Sequence, residues 1–322
     1  MTPTRRTTLA CLLLAALGPA AFAQANFPDK PLTFIIPFGA GSATDQLARA
    51  LAASITEQTK QAVIVDNRAG AGGMLAAQQA ARAPADGYTV LVTTNSTQSA
   101  NPHLFKKLPY DPGRDFRPLT ALGRGGMVLV VRPDSPYRTL GDVLAKAKRD
   151  PGTLTFGSGN SSSRVAVEML KQLSGIDMLW VGYKSNPNAL TDLLGGQIDL
   201  MAIDTVTGLA QIQAGKLRPL GVSTPQRMPL LNGVPTIAEA GVKGYDIGYW
   251  FGAYVPAATP VPVANALREL FVKATRSSHA GAFYANTATE PWTTTADELA
   301  RFQSLDTEKW GRVIKAAGIE AE

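Results

Sequence analysis

From residue 32 onward, apolar β-like runs and helical patterns follow one another in turn, and this alternation limits the fold more than any other feature of the chain. It is the habit of a parallel sheet covered by helices, because a strand that runs parallel to its predecessor needs a long crossover and a helix supplies it. Strands are expected at 32–37, 62–66, 88–93 and 127–132, with helices over 44–59 and 73–82. A second series repeats the pattern: helix 140–149, strand 154–156, helix 163–174, strand 178–183, helix 188–194, strand 198–203, helix 205–214 and strand 218–222. The aromatic stretch 247–256 reads as a strand crossing back to the first lobe, and 261–318 reads as mostly helical. This makes two α/β lobes, 26–130 with 250–322 and 131–249, joined by short crossovers near Val131 and Tyr254 that form a hinge.

At 322 residues and 45% apolar, the chain can bury a large core. Its first 25 residues have the order of a cleaved export signal: basic Arg5 and Arg6, an apolar run over 9–22, then small Ala21, Ala23 and Ala25. That run is interrupted by Gly18 and Pro19 and falls short of the roughly 20 apolar residues a membrane span needs. The two arginines suit an ordinary signal start and, loosely, a twin-arginine one. Cys11, the single cysteine, lies within the signal, so the mature chain has no thiol for disulfides, nucleophilic catalysis or metal binding. Without Arg5 and Arg6 the formal charge falls from +6 to about +4, a mild surplus that suits anionic ligands. No Lys/Arg block interleaved with aromatics argues for nucleic acid.

The chemistry lies in the turns. In Gly39-Ala40-Gly41-Ser42-Ala43-Thr44 a strand passes into a helix, where unpaired N–H groups and the helix dipole favour an anion. Ser42 and Thr44 either cap the helix or bond the ligand. Asp45 reads as a first-turn charge complementing the dipole. A rival reading is a dinucleotide site, with Asp66 closing the next strand, but Thr44 replaces the third small residue of that fingerprint. Three further turns follow strands. In 67–73 the glycines permit tight geometry and Arg68 suits either a salt bridge or a ligand; 93–97 is rich in hydroxyls and an amide; 157–164 carries Ser158, Asn160, Ser161, Ser162 and Arg164. Together they place polar groups on both sides of one cleft.

Catalytic patterns do not emerge. Ser163 stands where a nucleophile elbow needs glycine, and His103 and His279 have neither a catalytic nor a zinc-binding neighbourhood. Neither catalytic residues, nor a metal, nor a cofactor is expected.

At these residues the chain resembles the extracytoplasmic substrate-binding proteins of tripartite tricarboxylate transporters, the Bug or TctC-like family. The motifs that carry the resemblance are PDKPLTFIIPFGAGSATDQLAR, VDNRAGAGG, ARAPADGYTVL, NPHLFKKLPYDPGRDFRPLT, NALTDLLGGQIDL, GKLRPLGVST, GVPTIAEAGVKGYD and WFGAYVPAATP, in one order over essentially the whole mature chain. The resemblance implies a type II periplasmic-binding-protein fold that captures a small carboxylate by lobe closure and delivers it to transporter membrane subunits. Candidate ligands are a di- or tricarboxylate, an amino-dicarboxylate, or an aromatic dicarboxylate such as terephthalate. The alternative is a periplasmic sensor whose closed form meets a signalling partner. A monomer is expected.

By position, the resemblance implies ligand-facing residues Phe38, Gly39, Ala40, Gly41, Ser42 and Thr44 from one lobe, and Asn160, Ser161, Ser162 and Arg164 from the other. Thr93, Asn95 and Ser96 would line the first lobe's side, with Asp204 and Thr205 after a second-lobe strand. The chain departs from the family pattern at Ser42, where bare backbone is usual; at Arg164, where histidine is frequent; at Ala69, where proline is usual; and at Gly182 and Ser185. Arg164 suggests a bidentate clamp on a carboxylate, against the alternative of an exposed helix arginine. Phe38, Tyr249, Trp250 and Phe251 either flank the cleft or pack the hinge and core.

Overall fold

The computed structural model describes residues 27–322; the expected signal, 1–25, lies outside them. The first half of the chain winds β1 (Leu32–Ile36), α1 (Ala43–Thr59), β2 (Val63–Asn67), α2 (Met74–Ala81) and β3 (Thr89–Thr94). A π-type turn, Ser96–Ala100, then runs into the short helix α3 (Asn101–Leu104) before the long strand β4 (Phe116–Val131). The second half winds α4 (Leu140–Arg149), β5 (Thr155–Ser158), α5 (Ser161–Ser174), β6 (Leu179–Gly182), α6 (Asn186–Leu194), β7 (Leu200–Asp204), α7 (Thr205–Gln213) and β8 (Arg218–Val222). The chain returns through β9 (Gly248–Pro256) and closes with α8 (Val261–Thr275), α9 (Ser278–Thr287) and α10 (Ala296–Ala316).

The strands lie in the order β2-β1-β3-β9-β4-β7-β5-β6, with β8 also on β4. The expected parallel pairing holds within β2-β1-β3 and within β7-β5-β6, while every pairing of β4 and β9 is antiparallel. The reason is geometric: β4 carries the chain out of one half and β9 carries it back, so the two must run in opposite directions.

β4 is also far longer than the expected 127–132. Its first stretch contains Pro118 and the run Gly123-Arg124-Gly125-Gly126, and its register against β9 slips twice, between Pro118 and Thr120 and between Ala121 and Gly123. Such bulges break the alternation that marks a strand in sequence. Along β4 the partner changes at Gly126/Met127: it pairs with β9 from Phe116 through Gly126 and only then with β7 and β8, and β9 itself opens at Gly248. Glycine is required there: a Cβ on Gly248 would come within 2.8 Å of the Gly125 carbonyl oxygen.

Both faces of β4 are buried from Met127 to Val131. Met127, Leu129 and Val131 join the larger core, which also holds Leu47, Leu51 and Ile55 of α1, while Val128 and Val130 face a second cluster with Leu190, Leu193 and Ile203. On α1 the buried Leu47, Ala48, Leu51 and Ile55 recur at helical spacing, which seats this helix on the sheet and aims its first turn at the boundary between the halves. Phe34 stacks on Phe271 with centroids 5.2 Å apart, fixing α8 to the same layer.

Candidate functional site

α1, α5 and α7 each begin at the carboxyl end of a strand, and their first residues meet at one small cavity between the halves. It is lined by Phe38, Ser42, Ala43 and Thr44 from the turn into α1, by Thr94 and Asn95 after β3, and by Met127, Tyr249 and Phe251 from the crossing strands. The second half contributes Asn160, Ser162, Asn186 and Asp204.

Each helix start is held by a side-chain cap. Ser42 Oγ accepts from the Asp45 amide at 3.4 Å, Asn160 Oδ1 from the Ser163 amide at 2.8 Å, and Asp204 Oδ1 from the Thr207 amide at 2.8 Å. Capping uses one donor of each first turn and leaves others without an intrahelical acceptor. Asn186 ties the second-half elements together: its Oδ1 accepts from the Gly159 amide at 2.9 Å and its Nδ2 donates to Asp204 Oδ2 at 2.8 Å. Glycine at 159 is obligatory, since a Cβ there would lie 1.9 Å from the Ser185 carbonyl carbon.

The turn into α1 carries its own anion. Asp45, 3% exposed, accepts from the Gly41 amide at 2.9 Å and is ion-paired with Arg49 at 2.9 Å. Burial pushes its carboxyl up, but the Arg49 guanidinium and the Gly41 and Asn67 donors outweigh this and hold its pKa below the ordinary value. The Gly41 amide is thus spent inside the protein, and Ala40 and Gly41 face solvent. Gly39 sits against Ser185 of the other half, and Phe38 lines the cavity while its carbonyl accepts from Asn67 Nδ2 at 2.9 Å.

Of the remaining expected residues, Ser42, Thr44, Asn95, Asn160, Ser162 and Asp204 line the cavity. Thr93 does not: strand alternation turns it toward Thr97 and presents Thr94 instead. Ser96 and Ser161 form bonds across the cleft, Ser96 Oγ to Ser162 Oγ at 3.0 Å and Ser161 Oγ to Asn101 Oδ1 at 2.7 Å. Ser158 accepts from Trp180 Nε1 at 2.7 Å, and Thr205 meets the Tyr249 hydroxyl at 2.9 Å. Arg164 lies off the cavity wall, stacked over Trp180 and paired with Glu322.

The aromatics divide. Phe38, Tyr249 and Phe251 are buried and also line the cavity, whereas Trp250 faces away and donates to Asp306 at 2.8 Å. Burial, and then the Asp204 carboxylate, push the Tyr249 phenol well above its ordinary pKa, so it presents a neutral hydroxyl. Sequence reasoning missed Ala43, Met127 and Asn186. Asn186 did carry a signal, a polar residue before Pro187 where a helix opens.

Outside the cavity, Arg68 pairs with Asp66 at 2.9 Å, which engages the acid that a dinucleotide site would require. His103 Nε2 lies 2.9 Å from the Thr307 carbonyl oxygen, and His279 pairs with Glu57 at 3.0 Å. Among the described residues no group of three or more His, Cys, Asp or Glu is placed to hold a metal ion, and no helix is long and apolar enough to cross a membrane.

No Lys, Arg or His side chain lines the cavity, whose one ionisable acid is Asp204. The arrangement offers a carboxylate neutral donors from helix starts, and offers a hydrogen-bond donor the oxygens of Asp204. At about 20 Å³ the cavity in this conformation has room for about one water, far below the roughly 300 Å³ of a ligand pocket, so an organic acid enters only if the halves part.

Two α/β halves sharing a pair of crossing strands and meeting over a polar cavity define a two-lobe periplasmic-binding-protein fold. Solved structures of that class match closely: "R. palustris Rpa4515 with adipate" at TM-score 0.89, with 31% identity over 92% of this chain and 100% of that one, and "MatC (Rpa3494) from Rhodopseudomonas palustris with bound malate" at TM-score 0.85, with 28% identity over 89% and 100%. A relative from Pseudomonas sp. strain P51, described as "UPF0065 protein in tcbD-tcbE intergenic region", is 35% identical over 96% of this chain and 94% of its own length. The pattern described as tripartite tricarboxylate transporter family receptor matches residues 47–319, and the chain belongs to that family. Its members are periplasmic receptors that bind small organic acids and work with tripartite transporters; they are not enzymes.

Proposed function

We propose that this protein is an exported receptor, freed of residues 1–25, that captures a small carboxylate between lobes 26–130 with 250–322 and 131–249 and passes it, as a monomer, to the membrane subunits of a tripartite tricarboxylate transporter. The observation that carries this reading is the meeting of three helix starts from both halves at one cavity whose wall has no cationic side chain. The acid settles on the first-turn amides of one lobe, and closure adds contacts from the other. Such closure requires that the ligand bind the closed state more tightly than the open one.

Asp204 supports a narrower choice among organic acids. A ligand with carboxylates alone would bring like charge against it, whereas a hydroxyl or ammonium group beside the carboxylate would donate to it. Hydroxy acids and amino-dicarboxylates therefore suit the site better than plain aliphatic diacids, and the buried rings of Phe38, Tyr249 and Phe251 leave an aromatic acid within the set.

A thermal-shift screen across mono-, di- and tricarboxylates, with and without hydroxyl or amino groups, tests the reading. A true ligand at 100 times its Kd stabilises the fold by about 2.7 kcal/mol. A flat panel, or conversion of an acid to product, would count against it.

A further inference from the structure

Beyond α10, the segment 318–322 lies along the stretch that follows α3. The Lys106 amide donates to the Glu322 carbonyl at 2.8 Å and the Glu322 amide to the Leu104 carbonyl at 2.9 Å, which fastens this segment to the first half. From that anchorage the Glu322 carboxylate reaches Arg164 on α5, in the second half. The Arg164 guanidinium lies 3.6 Å from the centroid of the Trp180 ring, and the Trp180 indole N–H is held by Ser158 at the end of β5. The Arg164 side chain is 14% exposed and that of Glu322 49%.

We propose that 318–322 is an interlobe latch: the Glu322–Arg164 ion pair, seated on Trp180, holds the second half against the first and sets how much of the ligand-free protein is closed. This rests on the reading that the lobes close over a ligand. A contact between groups on different halves exists only while they are together, so it stabilises the closed state alone. A half-exposed ion pair is ordinarily worth little, because two long side chains must be immobilised in water. Here the backbone of Glu322 is already tied down, and the indole covers one face of the guanidinium, which lowers the ordering cost and strips some competing water. The latch therefore places the Arg164 cation where it acts on lobe position and keeps it off the cavity wall. Affinity follows, since a receptor that is closed more of the time has less conformational work left for its ligand.

The test compares ligand-free wild type, Arg164→Gln, Glu322→Gln and the swap Arg164→Glu with Glu322→Arg, by small-angle scattering at low and high salt, with melting curves to establish folding. Each single variant is expected to raise the open-to-closed ratio by about fivefold and to respond less to salt, with the Lys309–Asp246 pair still in place, and the swap, which gives up the stacking on Trp180, is expected to recover part of both. Identical scattering from all four proteins overturns the latch. So does opening of the single variants without recovery in the swap, which would place the effect in packing on Trp180 rather than in the ion pair. Because these readings are made without ligand, they stand apart from the receptor reading, which a parallel titration with malate and adipate examines on the same samples.

Discussion

The turns that open α1 and α5 are both glycine-bearing, both follow a strand, and both face the same cavity, yet they handle charge in different ways. At α1 the Gly41 amide donates to Asp45, a buried carboxylate already balanced by Arg49. At α5 the Gly159 amide donates to the neutral Asn186, and the cap on the helix is the neutral Asn160. The positive end of α1 is thus partly answered from within the protein, while that of α5 keeps its potential for a bound anion. The comparison teaches that a glycine turn before a helix is not by itself an anion site; what occupies its amides decides.

The largest expected effect breaks the α5 side of this comparison. Gly159→Ala forces a Cβ into the Ser185 backbone and should cost about 3 kcal/mol in a urea titration. Gly41→Ala meets open space but must hold φ at +79°, and should cost only about 1 kcal/mol. Equal losses at the two glycines would erase the distinction.

Next comes Asp45→Asn, which removes charge-assisted bonds from a buried group and should destabilise the fold by about 2 kcal/mol at neutral pH. Its folded pKa is depressed, so its contribution is present above the unfolded value, about 3.9, and is lost as pH falls through the lower folded value. The variant's stability should therefore fall less steeply than wild type below about pH 4 when unfolding is followed against pH. An unchanged acid limb would mean that the internal anion is not held as described.

Asn160→Ala sharpens the contrast on the ligand side. Loss of the cap should cost about 1 kcal/mol of stability, and calorimetry should show affinity for a carboxylate falling about tenfold, against little change for a neutral analogue. The smallest effect is expected at the seam itself. Ser96→Ala removes a hydroxyl that bonds Ser162 across the halves, and should weaken ligand binding by about threefold through closure alone.

Much of this architecture could be read before any coordinates. The apolar runs at 32–37 and 218–222 and the helix over 140–149 sit where strands and a helix are found, because each carries its periodicity and its stop signals locally. The helix 140–149 even has both halves of a capping box in Thr139 and Asp142. β4 was legible only in its last third, since bulges around Pro118 and Gly123 scramble the alternation that the rest of the strand would show. In the candidate site, turn chemistry and family position point to Phe38, Ser42, Thr44, Asn95, Asn160, Ser162 and Asp204. Thr94 in place of Thr93, and Asn186 before Pro187, depend on which face a side chain presents and on what lies opposite.

The sequence alone determined that two α/β lobes form and that their helices begin at polar, glycine-bearing turns, because hydrophobic period, caps and turn residues act over a few neighbours in the chain. Only the tertiary structure decided which of those turns has amides to spare, at which residue β4 changes partners, and that Arg164 lies beside Trp180 and Glu322 and not in the cavity. Those outcomes depend on contacts such as those of Asp45, buried by distant layers, or of 164 and 322 brought together from opposite halves, and a charge's role is set by the partner and the solvent it meets after packing.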